Sequence, residues 1–236
     1  MFTKNALLYV CHMRFLNHII WRVQRRALKI GRWIFKNIHP AFNGDWFLAR
    51  RMDALIREQG IQTAVETGTY LGQTTRWLAR RIPSVHTIEI QEKFATKARQ
   101  SFRKFSNIQL HIDNSPNALR ELIPKITSPV LFFLDAHWYD YWPILDEIQE
   151  IRKSGIRKCI IVIHDFFVPH SDFGFDSYLG QPLDLAYVTP ALDEAFGKQQ
   201  WKYWYNTRAT GWNRGVIFIE PLPLENQGEE KAAHKE

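Results

Sequence analysis

Five acidic residues, Glu66, Glu89, Asp113, Asp135 and Asp165, stand at or beside the ends of apolar runs. Carboxylates so placed can gather at one edge of a sheet and face a shared ligand. The first lies in Glu66-x-Gly68-x-x-x-Gly72, followed by Thr74 and Thr75. That spacing offers a carboxylate for a ligand amino group or its water shell, Tyr70 at the turn, and two positions without Cβ where a ligand can lie against the backbone. Glu89 follows Gly72 by 17 residues, where a carboxylate can accept both hydroxyls of a ribose. Asp113-Asn114-Ser115 suits an adenine amino group, with Ser115 also able to cap a helix.

Asp135 and Asp165 define a different chemistry. They end runs expected to be neighbouring strands, so their carboxylates can converge beside a reacting atom. Two carboxylates with water can hold Mg²⁺ or another divalent cation, which lowers the pKa of a hydroxyl and orients it. His137 and His164 stand beside them; either imidazole can complete a softer metal set or serve as a general base near neutral pH. The plainer alternatives are that His137 supports its loop and that His164 is a hydrogen-bonded strand-end histidine.

The elements that must position these groups alternate regularly. Strands are predicted over Gln62 to Glu66, Val85 to Ile90, Ile108 to Asp113, Val130 to Asp135 and Cys159 to Asp165, with helices starting near Gly72, Gln91, Ser115 and Tyr141. Several strands are nearly continuous apolar runs, as expected when both sheet faces are covered, so the pattern means right-handed βαβ units and a parallel sheet. The stretch from Phe166 to Val188 is long for an idle connection and reads as a lid or substrate-shaping loop. Thr189-Pro190 reads as the cap and first position of a helix. Two final strands, Trp201 to Thr207 and Gly215 to Glu220, are close enough to pair antiparallel. Aromatic residues around the implied opening, among them Trp138, Tyr139, Tyr141, Trp142, Phe166, Phe167 and Tyr178, suggest an apolar or sugar-stacking pocket that Trp212 and Arg214 can also reach.

The chain has 236 residues and a net charge of +7, but the charge is unevenly placed. Residues 1–44 carry eight Lys or Arg and no acid, leaving 23 basic and 24 acidic residues elsewhere, a net charge of −1. Between Leu8 and Ile38 apolar residues recur at three- and four-residue spacing opposite the basic ones, which describes a basic amphipathic helical extension. Its apolar face can pack on the domain, on a sister subunit in a homodimer, or at an anionic membrane as a peripheral contact. The expected organisation is this extension over 1–44, one catalytic domain over 45–223 and a polar, disordered tail over 224–236. Two cysteines, Cys11 and Cys159, give no disulfide framework, and no uninterrupted apolar run is long enough to span a bilayer. A cytoplasmic location follows, with the cytoplasmic face of a membrane open to the basic segment.

Three segments together resemble the class I S-adenosylmethionine-dependent methyltransferases, and within them small-molecule O-methyltransferases of the catechol O-methyltransferase type. Glu66 to Thr75 is similar to that group's first motif, Ile88-Glu89-Ile90 to its ribose-binding strand end, and Phe133 to Tyr141 to its fourth-strand motif. The likeness covers roughly residues 60 to 170. It implies a Rossmann-like α/β fold with a mostly parallel seven-stranded sheet of order 3-2-1-4-5-7-6, helices on both faces, and S-adenosylmethionine as methyl donor. It also implies a metal-binding Asp135. The metal-dependent members have Asp then Asn at the fifth strand end, where this chain has Asp165-Phe166, and their basic lysine is not matched.

The expected function is O-methylation of a small-molecule or glycan hydroxyl, with no nucleic-acid partner, because the excess basic charge lies outside the fold core. The alternative is a noncatalytic, membrane-associated Rossmann-like binding protein. A dehydrogenase fits less well, since the Gly-x-Gly-x-x-Gly spacing is absent.

Overall fold

The parallel strands form on short segments that are buried on both faces, except the third, which stands half-exposed at the sheet edge. They are β1 (Thr63–Thr67), β2 (Ser84–Glu89), β3 (Ile108–Ile112), β4 (Val130–Leu134) and β5 (Cys159–His164). The computed structural model describes residues 41–126, 129–137 and 141–223. The expectations for the basic helix over residues 8–38, for Cys11, for Trp138 and Tyr139, and for the 224–236 tail lie outside those residues.

Successive side chains on a strand point to opposite faces, and both faces here are apolar. Val65, Phe132, Ile161 and Ile217 meet one helical layer, which presents Leu119, Ile148 and Leu192; Ala64, Leu131, Phe133, Val162 and Phe218 meet the other, which presents Leu48, Met52 and Leu78. Among the described residues the α-helices are α1 (Trp46–Glu58), α2 (Gln73–Ala79), α3 (Glu92–Ser101), α4 (Ser115–Leu122), α5 (Ile144–Lys153) and α6 (Leu185–Phe196). A short hairpin, β6 (Ser177–Tyr178) with β7 (Gln181–Pro182), lies between β5 and α6, and β8 (Trp201–Tyr205) and β9 (Val216–Pro221) close the fold.

The sheet order is β3-β2-β1-β4-β5-β9-β8. With the small hairpin set aside, this is the predicted 3-2-1-4-5-7-6, and β9 is antiparallel to both β5 and β8. The order reverses beside β1, which pairs in parallel with β2 and β4. A crevice at the carboxyl ends of these strands is the usual ligand position in such sheets.

Two helix starts differ from those read in the sequence. Asp184, not Thr189, caps α6: its side chain accepts from Tyr187 N at 2.9 Å. Val188, Leu192 and Phe196 then fall on the buried face. Thr189 and Pro190 are interior, and the Thr189 hydroxyl donates back to the Leu185 carbonyl at 2.6 Å. Likewise Asn114 caps α4 by accepting from Asn117 N at 2.9 Å, which places Ser115 in the first turn.

Residues 166–188 are folded rather than idle. Asp176 N donates to Asp165 O at 2.8 Å and Phe167 N to Leu183 O at 2.7 Å, so the small hairpin is pinned against the end of β5. Phe166 is core, at 0% exposure. At the other end of the described chain, Ala41 and Phe42 are buried in the domain, with Phe42 edge-on to both Trp77 and Phe133. Cys159 is a free, buried thiol that burial pushes up to about 12, an unreactive state. Among the described residues, no helix is long and apolar enough to cross a membrane.

Candidate active site

The turn after β1 is built to approach β2 and β4 closely. Gly68 and Thr69 N–H groups both donate to Ile88 O, at 3.0 and 3.1 Å. Gly68 has a φ of +85°, and a Cβ there would come within 2.7 Å of the Asp135 carbonyl oxygen. Gly72, also at positive φ, would place a Cβ 2.4 Å from the Phe102 ring. Both glycines therefore answer to the protein's own packing and backbone, and Gly68 also lines the crevice where the sequence suggested room for a ligand. Tyr70 N donates to Glu89 Oε2 and Gln91 N to Glu89 Oε1, each at 2.8 Å. These bonds fix the Glu89 carboxylate at the wall while leaving acceptor capacity on each oxygen.

Glu66 lies below this turn. Its Oε2 accepts from the hydroxyls of Thr75 and, at 2.7 Å, Thr87. Burial raises its pKa to about 8, more than those two donors offset, and the nearby Asp135 and Glu89 carboxylates push the same way. Thr74 faces the other way and accepts from Phe42 N at 3.0 Å.

The crevice above these groups has a volume of about 800 Å³. Of the residues singled out from sequence, Glu66, Gly68, Tyr70, Thr74, Glu89, Asp113, Ser115, Asp135, His137 and Asp165 line it. Gly72, Thr75 and His164 stand behind the wall. Asn43, Ile90, Phe94, Tyr141 and Trp212 line it as well. Asn43 is brought in by chain folding that no local pattern reveals: Thr210 Oγ1 donates to Gly44 O, and Asp45 Oδ1 both caps α1 and accepts from Thr210 N. Trp142 is instead stacked on Tyr187, with centroids 5.2 Å apart.

At the β4 and β5 ends the charges form one cluster. His164 Nδ1 stands 3.2 Å from Asp135 Oδ1 and 2.9 Å from Asp165 Oδ1. Arg214 Nε bonds to Asp165, and a second guanidinium nitrogen bonds to Asp176, a residue absent from the sequence-based candidates. Asp165 has a φ of +58°, the left-handed region, a local strain that the ion pairs hold in place. Burial opposes the charge of His164, but Asp165 and Asp135 outweigh it and raise its pKa well above 6.5. An imidazolium that already holds its proton is not a base at neutral pH. Burial works to raise Asp165 too, yet His164 and Arg214 overcome it and hold the carboxyl well below its usual range. Asp135 is raised by burial, which His164 only partly offsets. Asp135, His137 and Asp165 each bring one ligand atom within 4.8 Å of the others, the only such metal-capable group among the described residues.

No protein-family model and no curated protein matches the sequence. Solved structures do match the fold. The O-methyltransferase TomG from Streptomyces achromogenes, involved in tomaymycin synthesis and solved with SAM, aligns with a TM-score of 0.58 and 17% identity, covering 75% of this chain and 80% of TomG. An O-methyltransferase from Bacillus cereus, solved with SAH, gives 0.55 and 17%, covering 74% and 80%. An rRNA methylase from Streptococcus thermophilus gives 0.51 and 13%, covering 73% and 95%. The chain therefore has the Rossmann-like fold of the class I methyltransferases. Its own candidate site lies at the carboxyl edge of that sheet, at the ends of β1 to β5.

Proposed function

We propose that the protein is an S-adenosylmethionine-dependent methyltransferase acting on a hydroxyl of a small molecule or glycan. The observation that carries this is the single crevice joining two chemistries: the Glu89, Asp113 and Ser115 wall at one end, and Asp135, His137 and Asp165 at the other. Its volume, about 800 Å³, is in the range for a cofactor-sized ligand with an acceptor beside it.

In this reading Glu89 accepts from the ribose hydroxyls, and Asp113 and Ser115 meet the adenine, with Ile90 and Phe94 as its apolar walls. Glu66, Gly68, Tyr70 and Thr74 surround the methionine end; Gly72 and Thr75 act behind them by shaping the turn. S-adenosylmethionine, when bound, supplies a methyl group on a sulfonium. Asp135 or His137 takes the acceptor proton, and Asp165 with His164 holds the Asp135 edge in place. The fold is shared by an rRNA methylase, so the acceptor class rests on this chain's own features. Outside residues 1–44 the net charge is −1, which gives a polyanion no general attraction. The aromatic side chains of Tyr141 and Trp212 at the crevice suit a flat or sugar-like acceptor.

Calorimetric titration with S-adenosylmethionine and, separately, NADH tests the cofactor assignment. Micromolar-order binding of the sulfonium alone, lost in Glu89→Ala, is the expected result. If neither ligand binds, the noncatalytic binding-protein alternative takes its place.

A further inference from the structure

The residues at the β4 and β5 ends do not fit a divalent cation, although three of them are close enough to suggest one. Asp165 Oδ1 is already engaged by the Arg214 guanidinium, and His164 Nδ1 stands 2.9 Å from the same oxygen. The same guanidinium reaches Asp176 on the lid segment, so it bridges two carboxylates from separate elements as a fork, the role a bound ion would otherwise fill. The position next to Asp165, where an oxygen ligand would help, is occupied by Phe166, buried at 0% exposure in the core. Asp135 and His137 then remain as ligands, but Asp135 Oδ1 already stands 3.2 Å from His164 Nδ1, and His137 is exposed, with Nδ1 3.9 Å from Asp176. A doubly charged ion placed there would stand beside a guanidinium in a poorly solvated wall, where like-charge repulsion is strong.

The surroundings are shaped for the arginine. A Cβ at Gly174 would lie 3.0 Å from Arg214 Nη1, so the lid backbone leaves this space for the side chain. Gly215 N donates to Gly174 O at 2.9 Å, and Asn206 Nδ2 donates to Arg214 O at 3.0 Å, which fix the arginine backbone on both sides.

We infer that Arg214 is a built-in cation that excludes divalent metal from this site and acts as the positioning residue for Asp165 and the lid. A catalytic role for this edge rests on the methyltransferase reading above, but ion exclusion is measurable without it. An acceptor hydroxyl is then oriented by protein groups alone, and the resting position of residues 166–188 is tied to the same side chain that holds the strand end.

The test uses the full chain, treated with EDTA and titrated with Mn²⁺ near neutral pH, with free Mn²⁺ read by electron paramagnetic resonance. The wild-type chain should show no saturable binding below about 1 mM, and Arg214→Lys should behave the same, because a point charge still repels the ion. Arg214→Gln, with its folding confirmed by a melting transition, should bind Mn²⁺ at least about tenfold more tightly, because two carboxylates are released. Wild-type binding below about 100 μM that Asp135→Asn abolishes would overturn the inference, and needs no arginine variant. A folded Arg214→Gln chain that binds no better than wild type would overturn it as well. S-adenosylmethionine affinity in EDTA is measured alongside; its absence counts against the methyltransferase reading and leaves the ion result standing.

Discussion

Glu147 titrates on its own, because it is buried away from the cleft lining and no cation among the described residues neutralises it. The residue is 0% exposed, in the first turn of α5, and burial pushes its carboxyl up to about 7 from an ordinary 4.5. The hydroxyls of Ser115 and Thr67 are near enough to favour its charged form, but neither carboxylate oxygen meets hydrogen-bond geometry with a partner. Below pH 4.5 the folded and unfolded chains both hold the proton, and the stability tied to this group is complete. Between 4.5 and about 7 the unfolded chain ionises while the folded one stays protonated, so stability falls with rising pH. At about 1.4 kcal/mol per pKa unit the total loss is about 3 kcal/mol. Above about 7 both states are ionised and the loss stops growing. Glu147→Gln keeps the shape and cannot ionise. Urea denaturation of both proteins across this pH range should therefore show the variant gaining about 3 kcal/mol relative to wild type as pH rises, then a plateau. Other buried acids titrate in both proteins and cancel in the difference. A difference that does not change with pH would refute the claim that this carboxyl is buried and neutral.

Three further outcomes follow from the same structure. Glu66, raised to about 8, is mostly protonated at neutral pH, and a ligand ammonium beside it should expel the proton; calorimetry in buffers of different ionisation enthalpy should show roughly one proton released per S-adenosylmethionine near pH 7, diminishing above pH 8, and none released at pH 7 would remove Glu66 from the ammonium's neighbourhood. Gly68→Ala would set a Cβ 2.7 Å from Asp135 O at a φ of +85°, so the chain should lose roughly 2–4 kcal/mol, seen as a lowered melting temperature; an unchanged melt would mean that the β1 turn is not held against β4 as described. Phe42→Ala empties a site at 2% exposure between Trp77 and Phe133 and should cost about 3–5 kcal/mol in denaturant unfolding, whereas a cost below about 1 kcal/mol would mean that this segment does not share the core.

What was legible in the sequence is what local pattern encodes. Several of the parallel strands, β4 and β5 above all, announce themselves as apolar runs, and the acidic ends of the strands mark one edge of the sheet, because a strand's direction in βαβ units is fixed by its connections. The start of α6 was misread because Thr189-Pro190 is a strong local signal, but the buried stripe through Val188, Leu192 and Phe196 extends the helix back to an equally good cap at Asp184. Gly68 and Gly72 were legible as special and not as to why: a glycine's need for positive φ and the neighbour that forbids a Cβ are known only when Asp135 and Phe102 are in place. The Asp165–Arg214–Asp176 bridge spans 49 residues of chain. No period or motif links such positions, and pairing is decided by the docking of β9 beside β5.

That docking has a consequence for how the chain is made. β5 is wholly buried, and its free edge is covered only by β9, residues Val216–Pro221, the last strand of the sheet. During synthesis the Cys-Ile-Ile-Val-Ile run of β5 must wait for more than 50 further residues before its partner exists. An apolar strand with an open edge is a template for association with another chain. The hairpin of β8 and β9 therefore serves as a molecular seal as well as the carrier of Arg214. Truncations before residue 216 should accumulate as aggregates rather than as a smaller folded domain.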